Sequence, residues 1–300
     1  MTVLHVAAAA DAAYLPHCAA MLGSVLQNAG GMKVNVHFLH GPSIPPGSVR
    51  ALTGFVERAG GEMSSHPVPN GAVAGLPAAG RITTEMWYRV LLPDLLPAVD
   101  RVLYLDCDCL ALASLAPLLE LDLSGCYLGA VTNVFEAQHL GRAARLGLDG
   151  PGAYFNSGVL LMNLDLMRRD GATAALLDYG RANANSLLWP DQDTLNVVLG
   201  HRRLSLAPRW NAMNSVLQFP SSDDVFGAAA VAEARAHPGI RHFEGPSINK
   251  PWHYLCDDPL RSLYFGHRRA TPWPTVTIDG LTPRNVGRRL LRRGRARGGH

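Results

Sequence analysis

The sequence lacks the features of a membrane-spanning or secreted protein. No uncharged apolar run approaches the roughly 18–20 residues that a membrane-spanning helix needs. Met1–Ala10 carries no Lys or Arg ahead of its apolar stretch, so we expect no secretory signal peptide. The five cysteines are an odd number, which argues against a disulfide scaffold and for a reducing compartment. We therefore expect a cytoplasmic protein.

The composition fits neither a disordered chain nor a fibrous repeat. Hydrophobic residues make up 48% of the sequence, enough for a globular protein with a real core. The 30 Gly and 21 Pro show no G-X-Y period, which excludes a collagen-like chain, and no internal repeat is visible. A length of 300 residues suits one large α/β domain or two small domains.

Acidic residues are missing from the C-terminal end, where arginines cluster. The last 17 residues contain seven arginines and no Asp or Glu: Arg284, Arg288, Arg289, Arg292, Arg293, Arg295 and Arg297. Residues 1–283 hold the other 20 basic residues against 24 acidic ones, so the body is mildly acidic. A nucleic-acid-binding surface would interleave basic residues with aromatics, whereas the last aromatic residue here is Trp273. We therefore expect no nucleic-acid partner.

This distribution predicts one domain over residues 1–275 and a basic tail over residues 276–300. Val286, Leu290 and Leu291 lie among the arginines of the tail. A short interfacial helix on anionic lipid would draw on the order of 1 kcal/mol from each Arg near the surface. A disordered, solvated tail is the equal alternative. Our hypothesis is peripheral attachment to the inner, cytoplasmic face of the membrane.

Hydrophobic periodicity predicts strands that alternate with helices. The predicted strands are Val3–Ala9, Val34–Leu39, Arg101–Leu105, Tyr127–Thr132, Gly158–Asn163 and Arg241–Phe243. The predicted helices are Tyr14–Gln27, Val49–Ala59, Thr84–Leu92, Leu166–Arg181 and Thr194–Leu199, and His66–Arg81 is predicted to be a loop. This order indicates an α/β fold with a mostly parallel central sheet flanked by helices. Ligands bind such sheets beyond the carboxyl ends of the strands.

An acidic pair follows the third predicted strand. In extended backbone, Asp106 and Asp108 would point to the same side, about 7 Å apart at Cα, while Cys107 and Cys109 would face the other way. Two such carboxylates suit Mn²⁺ or Mg²⁺, with open positions for substrate phosphates. On its own, the pair is equally consistent with one Asp that caps a helix and one that is merely exposed. The two cysteines lack the second Cys or His pair of a zinc site. The haloacid-dehalogenase phosphatases also have an apolar strand that leads to Asp-x-Asp, but they have Thr or Val at the position of Leu110.

Three further segments belong to one pattern. They are Tyr154–Asn163 (YFNSGVLLMN), Trp189–Asn196 (WPDQDTLN) with Pro208–Asn211 (PRWN), and His242–Pro246 (HFEGP) with Lys250–His253 (KPWH). Together with Asp11, Tyr14, Arg89 and the acidic pair, the chain closely resembles glycosyltransferase family 8 over residues 3–273. That family includes bacterial lipopolysaccharide galactosyl- and glucosyltransferases and glycogenin. The resemblance implies a GT-A type Rossmann-like nucleotide-binding fold, a UDP-sugar donor, Mn²⁺ and retention of anomeric configuration.

The resemblance also implies how the metal and the diphosphate are bound. Asp106, Asp108 and His242 match the family's metal ligands. Lys250 would offset the charge that grows on the departing UDP diphosphate. Gly245 would let backbone approach the phosphate oxygens closely. Considered alone, a histidine and a glycine at these positions equally suit a core side chain and a plain turn.

The remaining matched residues would hold the nucleoside and the sugar. Asp11 and Tyr14 lie where the family binds uridine, and Arg89 matches a basic residue near the donor phosphates and sugar. Residues that match those holding the sugar hydroxyls are Asn156, Asp191 and Gln192, and we assign the catalytic roles to Asp191 and Gln192. Because an amide is a poor nucleophile, front-face attack with Gln192 as an electrostatic supporter is favoured.

The sequence departs from the family pattern at three places. Ala13 replaces an Asn that contacts the nucleotide, which is expected to weaken nucleotide affinity. Asn133 replaces an acidic residue, which is expected to alter the choice of sugar or acceptor. The loop Pro246–Asn249 is two residues longer than usual, so the reach of Lys250 is open. The loops His66–Arg81 and Asn133–Tyr154 are expected to set acceptor specificity.

The sequence therefore predicts a metal-dependent retaining hexosyltransferase. It would move galactose or glucose from a UDP-sugar to a saccharide or glycolipid acceptor, such as lipopolysaccharide. One alternative is a nucleotide-sugar hydrolase or pyrophosphorylase, although Ala7–Ala13 lacks the Gly-rich basic loop of a pyrophosphorylase. Another is a sugar-binding homologue without turnover, which the presence of both aspartates and His242 disfavours.

Overall fold

A computed structural model describes residues 3–78, 82–150 and 152–297, with side chains through residue 291. Its strands are β1 Val3–Ala9, β2 Lys33–His40, β3 Glu62–Pro67, β4 Arg101–Leu105, β5 Cys109–Ala111, β6 Leu128–Ala130, β7 Val159–Asn163, β8 Arg203–Ser205 and β9 Ile240–His242. Seven of them form one sheet in the order β3-β2-β1-β4-β7-β6-β8, and β5 pairs with β9 in a separate ribbon. Only β7 runs antiparallel to its neighbours in the large sheet. The predicted mostly parallel α/β sheet is confirmed.

Helices cover the sheet and fill the connections. They are α1 Leu15–Gln27, α2 Pro46–Arg58, α3 Leu92–Leu95, α4 Ala116–Leu119, α5 Arg142–Arg145, α6 Leu164–Arg169, α7 Ala172–Ala182, α8 Pro190–Leu199, α9 Asn214–Gln218, α10 Ser222–Phe226, α11 Ala228–Ala236, α12 Arg261–Arg269 and α13 Pro283–Arg297. Short 3₁₀ segments lie at Thr84–Leu91, Ala137–His139, Gly200–Arg202, Pro208–Asn211 and Ser247–Asn249. Within the described ranges, no helix has both the length and the apolar composition of a membrane span.

The alternation of side chains along β1 shows how both faces are buried. Leu4 and Val6 pack with α1 and α2 on one face, and Ala7 packs with Trp87 and Leu195 on the other. Leu4, Val6 and Ala7 are fully buried. Burying a side chain such as Leu or Val contributes about 1.5–3 kcal/mol, so the continuous apolar run of β1 is consistent with a central strand.

Four local predictions were wrong in their details. The strand β3 was missed inside a polar stretch because it is an edge strand in which no residue is fully buried. The predicted helix Leu166–Arg181 is two helices, since Gly171 adopts a φ of +67° between them. Pro93 lies in the first turn of α3 rather than ending a helix, and Pro190 begins α8 four residues before the predicted start.

Some predicted segments extend beyond the described residues. Residues 79–81 of the predicted loop His66–Arg81 lie outside them, as do residues 1–2 of the N-terminal stretch and residues 298–300 of the tail. The described part of the tail contains the helix α13. A helix was one of the two alternatives for the tail, and its binding to lipid stays a prediction.

The topology brings distant segments to one edge of the sheet. Because β1 and β4 are parallel, Asp11 and Asp106 follow strands that end at the same edge. The antiparallel β7 begins there, so residues 156–158 join them. The ribbon pairs Cys109 with His242 and thereby returns the late strand β9 to the acidic pair.

Candidate active site

The acidic pair lies in a tight turn rather than in extended backbone. Asp106 N–H donates to the Gly158 carbonyl at 2.8 Å, and Cys109 N–H donates to the Asp106 carbonyl at 3.1 Å. The simple alternation expected for residues 106–109 is therefore wrong. The thiol of Cys107 faces the Ala9 carbonyl at 3.2 Å in the core, but Cys109 lies near the site, beside Asp108 and His242.

Asp106 is held from below by a buried arginine. Arg89 Nη2 lies 2.9 Å from Asp106 Oδ1 and 3.4 Å from Asp191 Oδ2, and Arg89 is only 2% exposed. Tyr104 donates its hydroxyl to the same Asp106 oxygen at 3.1 Å. Burial alone would lower the pKa of Arg89, but Asp106, Tyr104 and Asp191 together raise it. Arg89 is thus a fixed cation that joins the two aspartates, not a solvated side chain on a helix face.

Asp108 faces the other two predicted diphosphate-site residues. Its Oδ1 lies 3.2 Å from His242 Nε2, and its Oδ2 accepts a hydrogen bond from Lys250 Nζ. Lys250 also donates to the Phe243 carbonyl at 2.8 Å. Although burial would raise the pKa of the Asp108 carboxyl, Lys250 holds it well below its usual range. Asp108 is therefore an ionised carboxylate with one oxygen turned toward an imidazole nitrogen.

The donor set at this point fits a divalent cation. Among the described residues, one ligand atom each from Asp108, Cys109 and His242 lie within 4.8 Å of one another. Burial raises the pKa of the Cys109 thiol well above its usual range, and a soft sulfur ligand does not suit Mn²⁺ or Mg²⁺. Carboxylate oxygens and an imidazole suit Mn²⁺, and carboxylate oxygens suit Mg²⁺. Asp108 and His242 are thus the residues best placed to hold the ion.

Gly158 shows that Asp106 borders the same space. A Cβ atom on Gly158 would lie 2.2 Å from His242 Cε1 and 2.8 Å from Asp106 Oδ2. Both side chains therefore occupy the space where a Cβ on residue 158 would lie, and only a glycine leaves room for both. Asp106 Oδ2 is the carboxylate oxygen that neither Arg89 nor Tyr104 contacts in the structure. Asp106 Oδ2 therefore lies close to the His242 ring, whose Nε2 contacts Asp108.

Gln192 and Asn156 form the neighbouring part of the site. Gln192 Oε1 accepts from Ser157 N–H at 2.9 Å and from Asn156 Nδ2 at 3.2 Å, while Gln192 Nε2 donates to Tyr154 at 3.2 Å. Burial raises the pKa of Asp191, although Arg89 opposes that effect. Because its oxygen is already used as an acceptor, the Gln192 amide is oriented by the protein before any substrate arrives.

The predicted nucleoside residues lie at the rim. Asp11 Oδ1 accepts a hydrogen bond from Tyr14 N–H at 2.7 Å. Tyr14 immediately precedes the first residue of α1. Tyr14 is 39% exposed and meets the Trp252 ring edge-on at 5.9 Å. Its open face is available to a flat ligand, in keeping with the predicted uridine site. Ala13 is exposed beside it.

Gly245 and the longer loop after it adopt one defined turn. Gly245 has a φ of +86°, a conformation that favours glycine. The extra residues form the 3₁₀ turn Ser247–Asn249, in which Asn249 Nδ2 donates to the Glu244 carbonyl at 3.0 Å. The insertion does not withdraw Lys250, which reaches Asp108.

Sequence reasoning assigned no role to a second buried network behind Gln192. Asp193 is fully buried and accepts from Tyr154 at 2.6 Å, from Arg142 in α5 and from the backbone N–H groups of Leu188 and Trp189. Tyr154 and Asp193 belong to the motifs Tyr154–Asn163 and Trp189–Asn196, so the sequence did point to these two residues. Arg142 had none, because it comes from the loop Asn133–Tyr154, whose sequence follows no recognisable pattern.

Comparisons with known proteins agree with this geometry. Residues 5–256 match the profile of glycosyl transferase family 8. General stress protein A of Bacillus subtilis is 28% identical over 280 residues, which cover 91% of this chain and 96% of that protein. A lipopolysaccharide 1,2-glucosyltransferase of Escherichia coli is 26% identical over 275 residues, covering 89% of this chain and 78% of the relative.

A solved structure shows the same architecture. The galactosyltransferase LgtC, solved in complex with donor and acceptor sugar analogs, superposes with a TM-score of 0.80 at 26% identity, covering 91% of this chain and 98% of LgtC. This likeness confirms the predicted GT-A type nucleotide-binding fold. With the family match spanning most of its length, the chain belongs to glycosyl transferase family 8.

Proposed function

We propose that the protein transfers a hexose, galactose or glucose, from a UDP-sugar to a saccharide acceptor, with retention of configuration and with Mn²⁺ or Mg²⁺ as cofactor. The observation that carries the proposal is the contact of Asp108 with both His242 and Lys250, while Asp106 Oδ2 and the His242 ring both lie beside Gly158. Family membership supports a sugar transferase with a nucleotide-sugar donor and a divalent ion in general. The identity of the donor and of the ion is our proposal.

The charges of the site suit a diphosphate leaving group. Asp106, Asp108 and His242 would hold the ion, which when bound supplies Lewis-acid stabilisation of the diphosphate worth several kcal/mol. Lys250 is buried, and burial alone would lower its pKa. The neighbouring Asp108 outweighs that effect, so the pKa of Lys250 is raised. It therefore remains a cation at the place where negative charge would grow. Asp11 and the exposed ring of Tyr14 would bind the nucleoside.

The orientation of Gln192 supports front-face attack. An amide oxygen is a poor nucleophile. The amide oxygen of Gln192 is in addition already occupied, because it accepts several hydrogen bonds from the protein. We propose that it presents a fixed dipole to the sugar while Asn156 and Asp191 hold the sugar hydroxyls. Arg89 keeps Asp191 and Asp106 at a fixed separation.

An aromatic cluster supports a saccharide or glycolipid acceptor. Phe135 stacks on Trp189 at 6.0 Å between ring centroids, and His139 meets Trp189 edge-on at 5.0 Å. All three are half-buried on the loops that border Gln192. Aromatic rings offer a flat apolar face beside polar tips, which suits a sugar ring. The complex of LgtC with an acceptor analog supports an acceptor that is itself a sugar.

We propose further that residues 276–300 attach the protein to the inner, cytoplasmic face of the membrane. Leu290 and Leu291 are 64% and 72% exposed on α13, beside the arginines, while Arg289 contacts the Tyr254 ring. A Leu290→Gln, Leu291→Gln variant should lose binding to anionic phosphatidylglycerol vesicles at physiological salt. Binding as weak for the unaltered protein as for this variant would end the attachment proposal.

A panel of UDP-sugars tests the main proposal. We expect Mn²⁺-dependent UDP release, stimulated by a saccharide acceptor, with one UDP-hexose and its loss in Asp108→Ala. Release that no acceptor stimulates would indicate a nucleotide-sugar hydrolase. Formation of a UDP-sugar from UTP and a sugar phosphate would indicate a pyrophosphorylase. Binding of UDP-sugars without turnover would indicate a sugar-binding homologue.

A further inference from the structure

A chain of side-chain amides joins the two halves of the site. Gln192 Oε1 accepts from Asn156 Nδ2 at 3.2 Å, and Asn156 Oδ1 accepts from Asn211 Nδ2 at 2.9 Å. Asn211 Oδ1 lies 3.0 Å from His242 Nδ1. Asn211 is fully buried, and Asn156 and His242 are at most 7% exposed. The contacts therefore run without solvent from the predicted sugar-binding residue to the predicted metal ligand.

Two backbone groups fix the direction of every hydrogen bond in this chain. Ser157 N–H donates to Gln192 Oε1 at 2.9 Å, and Gly158 N–H donates to Asn156 Oδ1 at 3.0 Å. A backbone N–H can only donate, so both contacted atoms are oxygens. Asn211 must then present its NH₂ to Asn156 and its oxygen to His242. An amide oxygen only accepts, so Nδ1 of His242 must carry a proton.

The opposite nitrogen of His242 faces an acceptor. Nε2 lies 3.2 Å from Asp108 Oδ1, and the other oxygen of that carboxyl accepts a hydrogen bond from Lys250. With Nδ1 as the donor, the lone pair of neutral His242 is on Nε2 and points toward Asp108. Two acceptors at this separation repel each other unless a metal ion or a proton lies between them. The Nδ1–H tautomer is the one that allows Nε2 to bind a metal ion.

The fold also fixes where Asn211 lies. It ends the 3₁₀ segment Pro208–Asn211, and the next residue, Ala212, donates to the Ile240 carbonyl at 2.8 Å and accepts from His242 N–H at 3.2 Å. The backbone beside Asn211 is thus tied to β9, the strand that carries His242. A change of side chain at residue 211 therefore alters the amide contact without releasing the backbone.

We infer that Asn211 is a positioning residue, which holds His242 as the Nδ1–H tautomer and so presents Nε2 to a divalent cation. The inference rests on the proposed metal site. Asn211 is itself oriented through Asn156 by the backbone of residues 157 and 158, which also orients Gln192. The metal ligand and the sugar-binding amide are consequently aligned by one short stretch of backbone.

The tautomer of His242 can be measured without any substitution at residue 211. ¹⁵N-histidine NMR of the full chain, with and without Mg²⁺, reports which ring nitrogen carries the proton, and the spectrum of His242→Gln identifies the signal. We expect a proton on Nδ1 in both samples. A proton on Nε2 alone would overturn the inference.

Substitutions separate a tautomer effect from a packing effect. Mn²⁺ binding, followed by electron paramagnetic resonance in the presence of UDP, should weaken about 10- to 100-fold in Asn211→Leu, which removes the acceptor. Asn211→Asp keeps an acceptor for Nδ1–H but turns its second oxygen toward Asn156 Oδ1, so it should lose clearly less Mn²⁺ affinity than Asn211→Leu. A purely structural role predicts equal losses in both variants, which would refute the inference.

A matched control completes the design. Asn163 caps α6 by accepting from Leu166 N–H at 3.1 Å and donates to the Leu123 carbonyl, far along β7 from the site. Asn163→Leu should leave Mn²⁺ affinity unchanged. Unaltered affinity in Asn211→Leu would refute the role of Asn211 alone, whereas an unaltered protein that binds no Mn²⁺ would refute the metal site itself.

Discussion

Gly158 lies where an alanine side chain would collide with two predicted metal ligands. In Gly158→Ala, the new Cβ would lie 2.2 Å from His242 Cε1 and 2.8 Å from Asp106 Oδ2. Ordinary van der Waals contact begins near 3.4 Å, so the imidazole must move by more than an ångström. A displacement of about 1 Å at a catalytic group can cost about 100-fold in rate. We therefore expect UDP release to fall about 100-fold or more.

The assay compares this variant with a helix glycine that has free space around it. A Cβ on Gly266 in α12 would meet no atom within 4 Å, so Gly266→Ala should keep full UDP release and gain up to about 1 kcal/mol of stability. Overpacking should cost Gly158→Ala about 1–3 kcal/mol, read as a lower Tm. Full activity and an unchanged Tm in Gly158→Ala would refute the geometry proposed for the site.

Three further perturbations follow from the buried charges. Arg89→Met leaves Asp106 and Asp191 without their cation, and should lower the free energy of unfolding in urea by about 3–5 kcal/mol. Arg169→Met removes only an exposed ion pair with Asp165 and should change it by less than about 1 kcal/mol; equal losses would contradict the role of Arg89. Tyr154→Phe removes the hydroxyl between Gln192 and Asp193 and should cost about 1–3 kcal/mol together with slower UDP release; unchanged values in both measurements would exclude this link. Burial lowers the pKa values of His5, His37 and His66, that of His37 to about 4, so the folded state binds fewer protons than the unfolded state below pH 6.5. The contribution of these histidines to stability should therefore be fully present above pH 6.5 and be lost as the pH falls toward 4. The fall in Tm should be shallower in His37→Gln, and Tm values independent of pH over this window would contradict this assignment.

The central strands could be predicted closely because their burial leaves a continuous apolar pattern. The strands β1 and β4 have the predicted bounds, Val3–Ala9 and Arg101–Leu105. Edge strand β3 has no such pattern, since none of its residues is fully buried. The break at Gly171 depends on a single positive φ, which a hydrophobic period does not record.

The sequence predicted the chemistry of the site only where a suitable residue type lay within a recognisable motif. Asp106, Asp108 and His242 were predicted from the resemblance; in the structure Asp106 and the His242 ring lie beside Gly158, and Asp108 contacts His242. The turn after Asp106 could not be foreseen from strand alternation, because its backbone leaves the extended conformation to meet Gly158. The roles of Asn211 and Arg142 depend on contacts between residues 31 and 51 positions apart, which no local pattern encodes.

The most direct test of this account is a crystal of the protein soaked with Mn²⁺ and UDP. We predict one ion bound by a carboxylate oxygen of Asp106, a carboxylate oxygen of Asp108 and Nε2 of His242, in contact with the diphosphate. An ion bound elsewhere, or a diphosphate bound with those three side chains apart, would contradict it.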